Sequence, residues 1–226
     1  MIMKKASLSL ILLLLFCVAS AQDYTQVKDK GSDDEIRTLF KKPSKEIEVG
    51  WTLGLTSAYT QFDKQNVWLV GMTVGPIINH NWTIGLKLDA IVNSYYLYYD
   101  SIIDQTNAYL VGGFGGFLVQ YTLFPKSPVH VTFPLQIGAG YLGYLSDNGY
   151  KWENGNGYWY NDSEILDYDV FFVIEPGIQA EFNLMKFMRL ALGVSYRYSP
   201  NLNLEQQSST FVNQFNGTVG LKFGKF

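Results

Sequence analysis

The sequence predicts an all-β chain: an eight-stranded antiparallel up-and-down transmembrane β-barrel behind an export signal. Three observations carry that expectation. Eight stretches alternate apolar and polar residues with a period of two, the spacing of strands whose successive side chains leave opposite faces of a sheet. An apolar N-terminal stretch has the layout of a secretion signal. The connections between the eight stretches alternate short and long, as in barrels with tight turns at one rim and larger loops at the other.

The signal comes first in the chain. Lys4 and Lys5 precede an apolar run from Ala6 to Val18, and Ala19-Ser20-Ala21 places small residues where a signal peptidase reads them. The run falls short of the roughly 20 residues needed to span a bilayer. The expected organisation is a signal peptide over 1–21, a periplasmic N-terminal segment over 22–44 and the barrel over 45–226. Cys17 is the only cysteine and leaves with the signal, so the mature chain forms no disulfide or thiolate metal site. Removing 1–21 takes two of 17 basic and none of 20 acidic residues, so the mature net charge is 15 − 20 = −5. That argues against nucleic acid as a partner. No second run of about 18 apolar residues exists, which argues against a helical membrane protein.

The segment from Gln22 to Ser44 is polar and charged and reads as a tether, or as a short helical turn over Asp33–Phe40 used as a plug or docking segment. Strand one follows from about Glu46 to Tyr59: Ile47, Val49, Trp51, Leu53 and Leu55 share one face, and Glu46, Glu48, Gly50, Thr52 and Thr56 the other. A polar loop is expected over Gln61–Asn66. Strand two begins near Val67 with Trp68, Val70, Met72 and Val74 on its apolar face, and Asn79-His80-Asn81 is a tight turn. Strand three alternates Trp82, Ile84, Leu86 and Leu88 with Thr83, Gly85, Lys87 and Asp89. A longer loop spans Tyr95–Asn107, and strand four covers about Ala108–Phe124, where the glycines between Gly112 and Gly116 suggest a bulge or bend.

Strand five sets Val129, Val131, Phe133, Leu135 and Ile137 against His130, Thr132 and Gln136. The longest loop runs from Asp147 to Asp167. Strand six sets Val170, Phe172, Ile174 and Ile178 against Glu175, Gln179 and Glu181, with a tight turn over Leu184–Phe187. Strand seven sets Leu190, Leu192, Val194 and Tyr196 against Arg189, Ser195 and Arg197. A loop over Pro200–Ser209 leads to strand eight, from about Thr210 to the end. Each stretch is long enough to cross a bilayer at a tilt, and a closed sheet is what lets strands satisfy their backbone in hydrocarbon.

Alternation alone leaves two barrels open, since a soluble lipocalin-like barrel would turn the apolar face inward. Charges of both signs and glycines on the polar face suit a small crowded interior, and Trp68, Trp82, Phe124, Tyr141 and Tyr198 gather near strand ends, where membrane girdles sit. Asp34-Glu-Ile-Arg-Thr-Leu-Phe40, Pro134-Leu-Gln-Ile-Gly-Ala-Gly-Tyr141, Glu175-Pro-Gly-Ile178, Val194-Ser-Tyr-Arg-Tyr198 and Leu221-Lys-Phe-Gly-Lys-Phe226 add a likeness. Over roughly Asp34–Phe226 the chain resembles the small eight-stranded outer-membrane barrels of the OmpX/OmpW-like group, and is similar to an outer-membrane β-barrel domain family of Bacteroidetes. The alternation of short and long connections puts both mature termini in the periplasm, and the resemblance implies the outer membrane of a Gram-negative bacterium, contact with outer-membrane lipids, insertion by the outer-membrane assembly machinery and a monomer. One departure stands out. Phe215, Val219, Leu221 and Phe223 are odd-numbered and Phe226 is even, so a bulge is expected, or an end that leaves the sheet.

Three kinds of site are open to this frame. The inward charges are expected to be Glu46, Glu48, Lys87, Asp89, Glu175, Glu181, Arg189, Arg197 and Lys222, five acidic and four basic. A turn centred near residue 186 sets Glu175 opposite Arg197. They read as a brace for the barrel or as a proton or ion path, and an eight-stranded interior is only about wide enough for side chains. Catalysis finds little support: His80 and His130 both fall at the short-turn rim, and no Ser-His-acid spacing exists. No catalytic residue, cofactor or metal is expected. The loops offer aromatic rings for a sugar or protein partner: Tyr98, Tyr99, Trp152, Tyr158, Trp159 and Tyr160. Asp162, Glu164, Asp167 and Asp169 match no calcium-loop spacing. The sequence therefore favours a non-enzymatic structural or loop-mediated binding or adhesion role. A narrow channel for small, apolar molecules with a lateral opening near Gly112–Gly116 is the alternative, and a lipid-modifying enzyme is a more distant one.

Overall fold

The computed structural model describes residues 47–103, 106–146, 150–153, 158–161 and 164–226, and of these it describes only the backbone for 101–103, 106, 150–153 and 158–161. The expected signal peptide, the 22–44 segment and Glu46 lie outside the described residues. The strands are β1 (Val49–Phe62), β2 (Gln65–Ile78), β3 (Trp82–Ile91), β4 (Tyr98–Ile103), β5 (Thr106–Leu123), β6 (Val129–Ser146), β7 (Tyr150–Glu153), β8 (Tyr158–Asn161), β9 (Ile165–Met185), β10 (Met188–Tyr196) and β11 (Phe215–Lys225). Eight of them form a closed antiparallel ring in the order β3-β2-β1-β11-β10-β9-β6-β5, completed by β3 pairing with β5. Ring neighbours follow one another in sequence, with β4 intervening between β3 and β5 and β7–β8 between β6 and β9, apart from the β1–β11 seam. β4 extends the sheet beside β5, and β7 and β8 make a separate hairpin. The fold is an all-β up-and-down barrel.

Parity decides which side faces out. Leu53, Leu55, Trp68, Val70, Ile84, Leu86, Leu88, Phe117, Ile137, Val170, Phe172, Leu192 and Val219 are exposed on the outer surface. Thr52, Thr73, Thr83, Gln120, Thr132, Gln136, Glu175, Glu181, Arg197 and Lys222 are buried in the lumen. This inverts the usual soluble protein, and the exposed large apolar residues outnumber the buried apolar ones.

One end carries three tight connections, at 79–81, 124–128 and 186–187, and is called the turn end; the opposite loop end carries most of the longer connections. The pattern of alternating lengths fails once. The polar loop expected over Gln61–Asn66 is a two-residue turn, because β1 and β2 pair without interruption up to Phe62 and Gln65. Asp63 and Lys64 both take positive φ, 44° and 67°, the geometry that suits the right-handed twist of a hairpin. Strand eight starts at Phe215, later than expected, because residues 197–214 are used elsewhere.

The glycines of β5 do not form a bulge. Registers with β3 and β6 are continuous from Ala90↔Gly113 through Thr122↔Thr132, and Phe114 and Leu118 stay inward. The glycines are needed for close approach instead. A Cβ on Gly116 would fall on the Ile137 carbonyl oxygen, with the Gly138 Cα only 2.6 Å away. Outside, the missing side chains leave an apolar groove of about 580 Å³ floored by Gly113, Gly115, Ala90 and Ala139. Since both strand pairings run through this region unbroken, the wall is thinned there without being opened sideways.

At the other end of the chain, β11 keeps regular pairing with β1 through Lys225, and Phe226 then leaves the sheet. Its ring lies against the Arg189 guanidinium, 3.7 Å from centroid to Cζ. The even number of the final residue thus reflects an end that leaves the sheet, without a bulge.

Candidate functional site

The lumen is filled in three layers. The first, at the loop end, is apolar, which the expectation of a uniformly polar interior missed. Inward positions Phe62, Val67, Leu69, Leu110, Leu142, Phe171 and Val173 are buried there. Residues 197–214 fold in from above, burying Leu202, Leu204, Phe211 and Val212 against them. Phe62 packs on Phe114 and Phe211 at ring distances of 6.3 and 5.4 Å. Two carboxylates fasten this cap: Asp169 accepts the Asn203 amide and Asp167 the Glu205 amide, both at 2.7 Å. Asp167 and Asp169, two of the four acidic residues named for calcium, are thus used as backbone acceptors, Asp162 lies outside the described residues, and no cluster able to hold a metal occurs among the described residues.

The second layer joins Lys87, Asp89, Glu175 and Arg197. Glu175 accepts from Arg197 Nε and Nη2, each at 2.9 Å, from Ser195 Oγ at 2.8 Å and from Lys87 Nζ at 3.2 Å. Lys87 also meets Asp89 at 3.0 Å. The Phe114 ring covers the Arg197 guanidinium at 3.8 Å. Two cations face two carboxylates here, and Arg197 is 1% exposed. Taking such charges out of water is tolerable only when close opposite charges and hydrogen bonds compensate most of the loss.

The third layer centres on Glu181, which is fully buried. One oxygen accepts from Lys222 Nζ (2.6 Å), Gln120 Nε2 (3.2 Å) and Thr132 Oγ1 (3.3 Å), and the other meets His130 Nε2 (3.0 Å) and Arg189 Nη1 (3.5 Å). Lys222 reaches Gln120 and Gln179 as well, at 2.8 and 3.3 Å. A space of only about 30 Å³ separates this layer from the second.

Seven of the nine residues expected to line the lumen are therefore in it, in two groups. Glu48 is not. It precedes β1, is exposed, and pairs with His80 at the turn-end rim. The alternation continues past the point where the strand begins, so the pattern overran the barrel. His130, Gln120, Gln179 and Ser195 also belong to the networks, and their place on the polar face of the alternating pattern is the signal that points to them. Each histidine meets a carboxylate at the turn end, His80 that of Glu48 and His130 that of Glu181, and His130 Nδ1 faces the backbone carbonyl of Ser127.

The expected loop aromatics divide. Tyr98 is on the outer surface beside Tyr109, with ring centroids 5.3 Å apart. Tyr99 is not available for a ligand: its side chain points into the loop-end core and meets Tyr144 edge-on at 5.4 Å. Both sit in β4, where consecutive residues must face opposite ways. Tyr95 and Tyr96 are more exposed, at 74% and 78%, and Tyr95 stacks on Tyr109 at 5.5 Å. Trp152, Tyr158, Trp159 and Tyr160 lie on the β7–β8 hairpin with Trp152 opposite Trp159 in register, and their side chains lie outside the described residues.

No protein-family profile and no curated protein sequence matches the chain. Among solved structures it is similar to Neisserial surface protein A, with 13% identity and a TM-score of 0.46 over 80% of this chain and 100% of that one. It is also similar to Ail, the attachment invasion locus protein of Yersinia pestis, solved with the heparin analogue sucrose octasulfate, with 11% identity and a TM-score of 0.38 over 80% and 99% of the two chains. A third is the outer membrane protein OprG of Pseudomonas aeruginosa, with 12% identity and a TM-score of 0.37 over 79% and 94%. The fold above rests on this chain's own strand pairing and takes no support from these likenesses.

Proposed function

We propose that the chain is a non-enzymatic, monomeric barrel of the Gram-negative outer membrane, with a structural role and a loop end that serves binding or adhesion. The observation that supports this best is an apolar exterior wrapped around a sealed interior. A belt of Trp, Leu, Val, Ile and Phe on every strand of the ring far exceeds what a soluble monomer leaves in water, and lipid is the solvent it suits. Inside, the apolar cap at the loop end and two ion-pair layers below it fill the lumen, which is the arrangement of a brace and not of a passage. On this reading the short turns and both mature termini face the periplasm, the assembly machinery inserts the strands, and kinship with the Bacteroidetes barrel-domain family is part of the same proposal. The exposed Tyr95, Tyr96 and Tyr98, backed by Tyr109, form the surface we assign to a sugar or protein partner.

Planar-bilayer recording of the mature chain tests the sealed interior. Silence is expected at all voltages the membrane withstands. Reproducible conductance steps would replace the display reading with the channel. An altered lipid A mass in cells making the protein would replace it with the enzyme.

A further inference from the structure

The ring is closed where β3 meets β5, but the sheet stays open above it, at β4. β3 pairs with β5 up to Ala90↔Gly113, and β4 then takes the place beside β5, from Tyr98↔Tyr109 to Ile103↔Thr106. On its other side β4 has no strand for a neighbour among the described residues. The β1–β2 hairpin touches it at its first residue, where Gln65 Nε2 donates to the Tyr98 carbonyl at 3.3 Å. A shift of register with β5 between Tyr99 and Ile103 bends this edge without covering it. A row of backbone N–H and C=O groups without a partner strand is a template for one. Hydrocarbon tolerates no open edge, so this one stands in water beyond the bilayer.

The side chains beside the edge are aromatic and acidic. Tyr98 and Asp100 are both exposed on the outer face of β4, two residues apart on one side of a strand. Tyr109 lies across from Tyr98 with ring centroids 5.3 Å apart, and Tyr95 stacks on Tyr109 at 5.5 Å. Around them the loop end carries Asp63, Glu164, Asp167, Asp169 and Glu205, with Lys64 as the opposing cation among the described residues. The ion pairs among the described residues all lie in the lumen or at the turn end. Asp167 and Asp169 accept backbone amides, which leaves their charge in place. The loop end is therefore an acidic rim whose charge the barrel does not neutralise.

That charge decides between occupants. A second copy would bring one acidic rim against another, and like charges on neighbouring strands are destabilising. A basic strand is drawn to the same edge. We propose that the open edge of β4 takes up an extended basic segment of a partner protein as an added strand, with Lys or Arg side chains set against Asp100 and the tyrosine face. In such an addition the backbone hydrogen bonds give affinity and alternate side chains give choice. An arginine suits the position best, because its guanidinium pairs with a carboxylate and stacks on a ring. The inference rests on the reading of the loop end as a binding surface, and it narrows the partner to a basic protein segment.

The test is fluorescence anisotropy of a labelled short peptide of alternating arginine and valine, titrated with the mature chain in uncharged detergent. Saturable binding is expected, and none for the same peptide with glutamate in place of arginine. N-methylation of alternate amides keeps every charge and removes the edge hydrogen bonds, and is expected to weaken binding by about tenfold or more. Asp100→Arg turns an attraction into a repulsion at an exposed position and is expected to weaken it by about as much; should that variant not fold, Asp100→Asn decides, with a smaller loss. Absence of saturable binding, equal binding of the methylated peptide, or binding that Asp100 variants leave unchanged would overturn the proposal. So would a dimer of the mature chain that the peptide dissociates, which would assign the edge to a second copy. Conductance steps in planar bilayers would strike the sealed barrel without altering this titration, so the two failures are distinguishable.

Discussion

Replacing Glu175 by leucine is the most revealing single perturbation of the lumen. The substitution leaves Lys87 and Arg197 facing Asp89 alone, two cations against one carboxylate. Lys87 retains Asp89 at 3.0 Å, so the uncompensated charge is Arg197, whose side chain is 1% exposed. Its Nε and Nη2 lose their 2.9 Å acceptor, and its Nη1 has no hydrogen-bond partner to begin with. The Phe114 face remains, but a desolvated cation–π contact is worth only about 2 kcal/mol. Removing one partner of a buried pair costs about 3–5 kcal/mol, so Glu175→Leu is expected to lower unfolding free energy by about that amount. Combining it with Arg197→Met leaves Lys87 and Asp89 as a one-to-one pair in an apolar setting, and the double variant is expected to be more stable than the single one. The assay is urea unfolding in detergent micelles, followed by tryptophan fluorescence and by the faster gel migration of the unheated, folded barrel. A single variant that loses less than about 1 kcal/mol, the worth of an exposed pair, would refute the brace. So would a double variant no more stable than the single.

Other expectations follow from the same geometry. Phe62→Ala opens a cavity between Phe114 and Phe211 and is expected to cost about 3–5 kcal/mol in the same urea titration. Gly116→Val drives a side chain into the Ile137 carbonyl and is expected to abolish the folded gel band. Lys64→Gly removes a left-handed residue at φ 67° and is expected to raise stability by up to about 1 kcal/mol. Asp167→Ala with Asp169→Ala removes the acceptors for Glu205 and Asn203. Limited proteolysis is expected to cut within 200–212 sooner, while the urea midpoint of the barrel moves little.

What the sequence could reveal depended on how local the cause was. The outward faces of all eight ring strands follow from period two and hold residue by residue, from Leu53 in β1 to Val219 in β11. The turn near 186 was enough to set Glu175 across from Arg197, because a tight turn fixes the register of a hairpin. Glu48 was misplaced because alternation does not announce where a strand begins. Tyr99 turns inward because Tyr98 and Tyr99 sit in β4, whose strand parity no sustained alternation announces. The cap is different in kind. Leu202, Leu204, Phe211 and Val212 are apolar residues in a loop, visible in the sequence, but their burial depends on Phe62, Leu110 and Leu142, about 60 to 150 positions away. No short-range pattern encodes that contact. A concavity at the turn end likewise draws its lining from three separate turns and from Phe226.

The central claim is that the apolar exterior meets lipid. Trp51, Trp68 and Trp82 lie on that surface, 55%, 48% and 46% exposed. With Trp152 and Trp159 replaced by Phe, fluorescence of the chain reconstituted in vesicles of brominated phospholipid reports on those three directly. Strong quenching relative to unbrominated vesicles is the expected result. Unquenched tryptophans, from a chain that stays folded and monodisperse in buffer without detergent, would contradict the account.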